Sequence, residues 1–177
     1  MPQPRDMRFQ QRVLNLLWYG SLGGPLVIAT AFLAFELEVG VGWVPAQLLW
    51  NGSLVLMALV LASGRSLVRH LLEPARVAAR PVPAAMAAPD DLPAQALAKV
   101  QVVSMTVAAM LNALPMLLTV LAVLHAEEGL ALVIGTLALA AAAVAKPGFV
   151  NLLLATERRL RDARRQDPPP DPPPDPQ

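Results

Sequence analysis

The sequence predicts an all-α, polytopic integral membrane protein: four transmembrane helices pairing as two antiparallel hairpins, both termini on one side, and a disordered proline-rich tail. Three observations predict it. The 177-residue chain is 55% hydrophobic and only 15% charged, with a mean hydropathy of +0.50, whereas soluble domains carry about 25% charge. The charges are segregated: none falls between Arg12 and Glu36, Glu38 and Arg65, Lys99 and Glu127, or Glu128 and Lys146. Each gap is close to or longer than the roughly 20 residues that cross about 30 Å of hydrocarbon at 1.5 Å per residue. Finally, all 14 basic residues fall at the N-terminus, in the 64–99 connection or from Lys146 onward. The two short turns carry none.

Residues 1–13 form a basic N-terminus with Arg5, Arg8 and Arg12. Hairpin 1 occupies 14–63, with span 1 over about 14–35 and span 2 over about 41–63. A short basic start, an apolar run and Ala29-Thr30-Ala31 also fit a cleavable signal peptide. The run continues through Phe35, however, and cleavage would leave an odd number of spans, so span 1 is read as retained. In the 64–99 connection, Arg65, Arg69, Arg76 and Arg80 fall within about 60° of one another at 100° per residue. That is the pattern of a basic amphipathic helix on an anionic leaflet, with Pro74 expected to break or kink it. Asp90 or Asp91 is the expected N-cap of a helix that opens with Pro93.

Hairpin 2 occupies 100–156, with span 3 over about 100–125 and span 4 over about 129–145, the latter extending toward Thr156. Pro25, Pro45 and Pro115 are expected to kink their helices. Residues 157–177 hold a basic helix with a Glu157–Arg161 pair at i, i+4, then DPPPDPPPDPQ, an extended polyproline tail. With basic residues cytoplasmic, the termini lie inside and both acidic turns outside, in a bacterial inner membrane. An offset of 90 aligns Pro25 with Pro115 and Glu38 with Glu128, a faint trace of duplication that would relate the hairpins by an axis along the membrane normal.

Four groups of residues invite functional readings. Glu36, Glu38, His125, Glu127 and Glu128 bracket the two outer turns. Carboxylates with one imidazole suit a divalent cation or a proton relay. The plainer reading is that acidic residues mark turns from which basic ones are excluded, Glu127 and Glu128 also favouring the start of span 4. Asn51 and Asn112 are the most polar groups deep in the spans; they suit a substrate or ion contact or, more plainly, interhelical hydrogen bonds, with each other as the first partner to look for. Gly20 and Gly24 form a GxxxG in span 1, and Gly135, Ala138 and Ala142 give span 4 a small-residue face, both favouring close packing. Arg65, Arg69, Arg76, Arg80, Arg158, Arg159, Arg161, Arg164 and Arg165 are expected to meet anionic lipid headgroups, and Lys146 to snorkel toward them.

Other chemistries find no support. There is no cysteine, so thiolate ligands and disulfides are excluded. His70 and His125 belong to opposite membrane faces, which denies a haem its two axial imidazoles. No GxSxG, HExxH, P-loop or GxGxxG pattern occurs. No enzyme, cofactor, metal centre or nucleic-acid partner is therefore expected. The expected role is a non-catalytic accessory, assembly or scaffold subunit, partnered by anionic lipid and by other membrane subunits or itself. The competing expectation is a small transporter or channel, with the outer carboxylates collecting cations.

Overall fold

The computed structural model describes residues 4–35, 42–83 and 91–166. They form seven helices and, among the described residues, no strand: α1 Pro4–Leu22, α2 Gly24–Phe35, α3 Ala46–Leu71, α4 Pro74–Ala79, α5 Leu92–Leu124, α6 Glu128–Ala145 and α7 Phe149–Gln166. Helices α3, α5 and α6 are each long and apolar enough to cross a membrane, and α1 with α2 makes a fourth if the bent pair is one span. The tail beyond Gln166, and Glu36 and Glu38, lie outside the described residues.

Span 1 breaks rather than kinks. Its halves meet at Gly23 with a bend of 52°. Pro25 has no N–H, so the Ser21 carbonyl loses its i+4 donor. Gly23 tolerates the resulting crowding, since a Cβ there would lie 2.9 Å from the Tyr19 carbonyl oxygen. Pro115, by contrast, sits inside an unbroken α5 of 33 residues.

The basic 65–80 segment is not one helix. Helix α3 runs on through Gly64, so Arg65 and Arg69 ride its last turns. It stops before Glu73-Pro74, because a residue preceding proline disfavours helical geometry. Proline then opens the short α4, which carries Arg76, and Arg80 caps its end. The Asp91 carboxylate accepts from the Ala94 N–H at 3.3 Å, capping α5 as expected. Span 4 ends at Ala145, and Lys146-Pro147-Gly148 separates it from α7 instead of leading on helically.

The turn between α5 and α6 closes α5 with a six-residue cap. The Glu127 N–H donates to the Ala122 carbonyl and the Ala126 N–H to that of Val123. Ala126 supplies the left-handed residue, with φ of 56°, where glycine is usual.

Helices α5 and α6 form the centre, α1–α2 packing on one side of this pair and α3 on the other. The arms of the first hairpin therefore flank α6 rather than each other, and the two hairpins are not equivalent in packing. Gly135 allows the closest approach: a Cβ there would lie 2.7 Å from the Leu26 Cα. Gly20, by comparison, faces open space, so the GxxxG is not the tight interface. Trp18 is buried, donates Nε1–H to the Ala142 carbonyl at 2.9 Å and meets the Phe149 ring edge-on at 6.2 Å. Apolar side chains instead cover much of the exterior, with Leu48, Val55 and Leu59 each more than half exposed on α3.

Candidate functional site

The two ends of the bundle differ in chemistry. At the acidic end, α3 and α6 begin side by side, and the Trp50 indole N–H donates to Glu127 Oε2 at 3.0 Å. His125 is fully engaged. Its Nδ1 lies 2.9 Å from the Leu121 carbonyl, and its Nε2 accepts from the Val44 N–H at 3.2 Å. With Nε2 accepting from Val44, Nδ1 is the nitrogen placed to donate to the Leu121 carbonyl. The Trp43 ring packs 5.4 Å from the imidazole. Neither ring nitrogen is free for a cation in this arrangement, and His125 ties the segment entering α3 to the end of α5. Glu128 is exposed at the start of α6. Among the described residues, no group of three His, Asp or Glu side chains converges to hold a metal ion.

Asn51 and Asn112 do not face each other. Because α3 starts only at Ala46, Asn51 lies about 8 Å along its axis, one residue past the Trp50 that reaches Glu127. It is exposed near the acidic end rather than at mid-depth. Asn112 is deep, about 18 Å from the end of α5. Its Nδ2 donates to the Ser21 carbonyl at 2.8 Å. That is the carbonyl orphaned by Pro25, so the amide mends the break in span 1 from a neighbouring helix. Gly24 lies alongside it, a Cβ there coming to 3.7 Å, an ordinary contact, from the same nitrogen.

No protein-family model, curated protein or solved structure matches this chain. Its own residues therefore carry the functional reading, and the densest set lies at the basic end. There Lys99, only 9% exposed, sends Nζ between the carbonyls of Ala78, at 2.8 Å, and Arg80. A cation on the last carbonyls of a helix is favoured by their exposed lone pairs and by the helix dipole. The lysine thereby clamps α4 to the first turns of α5. Val77 of α4 is fully buried, and α4 packs against α7. Helix α7 in turn buries Phe149, Leu152, Leu153 and Thr156 against the bundle.

The arginines stand on this platform. Arg65, Arg69, Arg158 and Arg159 are exposed, Arg76 pairs with Glu73 at 3.3 Å, and Arg161 pairs with Glu157 at 2.7 Å. Arg164 and Arg165 occupy the last turn of α7. Lys146 lies over the Tyr19 ring at 5.6 Å, a cation–π contact at the end of α6. Sequence reasoning placed these cations on one side but missed Lys99 as their organiser. A single lysine eight residues past a cap has no local signature, because its partners lie 19 and 21 residues away.

Proposed function

We propose that the protein is a multi-pass subunit of a bacterial inner membrane, with both termini cytoplasmic, serving a non-catalytic accessory, assembly or scaffold role. The observation that carries this reading is the Lys99 clamp. It fixes α4 and Arg80 as a surface against α5, with α4 and α7 presenting arginines from a packed base. A rigid basic face at a membrane boundary suits contact with anionic headgroups or an acidic partner protein. The sorting of all 14 basic residues to that end supports the orientation. The exposed apolar flank of α3 offers further helix-packing area within the bilayer.

Purification in mild detergent tests the role. An accessory subunit co-purifies in fixed stoichiometry with a partner or a second copy, and Lys99→Met or charge reversal on α7 weakens that association. A lone monomer in every mild detergent refutes it. Cation or proton flux in liposomes that falls when Glu36, Glu38, Glu127 and Glu128 are changed to Gln would instead establish the transport class.

A further inference from the structure

We infer that the basic end holds one molecule of a doubly anionic phospholipid, of the diphosphatidylglycerol type, in a pair of adjoining depressions formed by α3, α4 and α7. This rests on the orientation proposed above, in which that end meets an anionic leaflet. The first depression, of about 510 Å³, has Arg65 and Arg69 of α3 on one wall and Lys146 and Asn151 on the other. The second, of about 460 Å³, is an open groove lined by α7 alone, farther along that helix, and carries Arg158 and Arg159. Asn151 and Ala155 line both, so the two adjoin along α7.

Charge and depth both suit a lipid headgroup. The five cations face two carboxylates, Glu73 in the first depression and Asp162 in the second. Glu73 is already occupied by Arg76, leaving the first depression strongly positive. The first depression also has apolar lining, with Val68 and Leu72 buried in it. It opens directly beyond Ala145, the last residue of α6 and the one that Gly64 packs against. A headgroup seated there would leave its acyl chains level with the apolar bundle. A single phosphate diester fills one depression and leaves a net positive charge in the other, since Asp162 offsets only one of Arg158 and Arg159 and Glu73 is taken up by Arg76. Two diesters joined by one glycerol occupy both, each within reach of guanidinium groups that bind phosphate through paired N–H donors.

Native mass spectrometry of the full chain, in detergent with equimolar phosphatidylcholine, phosphatidylglycerol and diphosphatidylglycerol, tests the site. The expected result is one retained diphosphatidylglycerol. Arg65→Gln with Arg69→Gln should weaken retention about thirtyfold, since each cation near a headgroup is worth about a factor of five. Lys146→Gln gives an independent loss if the double variant folds poorly. Arg8→Gln with Arg12→Gln removes the same charge elsewhere and leaves retention unchanged. Equal retention of phosphatidylglycerol, equal losses in the two double variants, or displacement by inorganic phosphate overturns the inference. The chain has no cysteine, so a cysteine placed at the exposed Ser66 reports orientation by labelling from outside intact cells. Labelling there refutes the orientation alone, whereas loss of lipid selectivity with a protected cysteine refutes the site alone.

Discussion

Replacing Asn112 with leucine removes the one donor that reaches the Ser21 carbonyl across helices, at 2.8 Å. The substitution keeps the side-chain volume, so packing against Gly24 and its surroundings is little changed. What is lost is the partner of a carbonyl whose i+4 residue is Pro25 and cannot donate. Leaving a buried acceptor unpaired costs about 1–3 kcal/mol in water-soluble cores. Interhelical hydrogen bonds in membranes average about 0.6 and reach about 1.7 kcal/mol. Asn112 serves a carbonyl with no intrahelical alternative, but its own Oδ1 is buried without a partner, a cost that leucine removes, so a net loss of about 1 kcal/mol is expected. Unfolding in mixed micelles with rising dodecyl sulfate, followed by far-UV circular dichroism, measures it. A double-mutant cycle isolates the cause. Pro25→Ala restores an N–H at position 25, giving the Ser21 carbonyl a donor within its own helix. In that background Asn112→Leu should cost less than half as much. An unchanged cost in the Pro25→Ala background would refute the idea that the amide repairs the proline break.

Gly135→Ala sets a methyl 2.7 Å from the Leu26 Cα and 3.0 Å from its nitrogen, both backbone atoms that cannot rotate away. Separating α2 from α6 should cost about 1–3 kcal/mol in the same unfolding assay, whereas Gly20→Ala, in open space, should be neutral or slightly stabilising. Ala126→Gly should stabilise by about 0.5–1 kcal/mol, because position 126 has φ of 56° and glycine adopts that conformation without a Cβ penalty. Lys99→Met removes the clamp on the Ala78 and Arg80 carbonyls. Trypsin should then cut after Arg76 severalfold faster, Arg80 being shielded by Pro81, while global helicity is retained.

Much of the architecture is written in local patterns. The apolar lengths of α3, α5 and α6, the Asp91 cap ahead of Pro93, and the collection of every basic residue at the N-terminus, the long connection and the region after span 4 need only one stretch of sequence at a time. The relation between Pro74 and the end of α3 is local too: the proline expected to break or kink the stripe of arginines divides it between α3 and α4.

Tertiary structure decided which neighbours each helix has. In a membrane, lipid is as apolar as leucine, so hydrophobic periodicity does not say which face points inward. Leu48, Val55 and Leu59 are exposed on α3, while the small residues Gly135, Ala138 and Ala142 are buried on α6. Close approach therefore falls to Gly135 against Leu26 and not to the GxxxG of span 1. The same reason hid the polar contacts. Asn112 finds Ser21, His125 finds Val44 and Lys99 finds α4 only after the helices are placed. The sequence by itself determined how many apolar segments there are and where the charges collect. Only packing determined that α6 stands between the arms of the first hairpin, and that a lone lysine turns a basic linker into a surface.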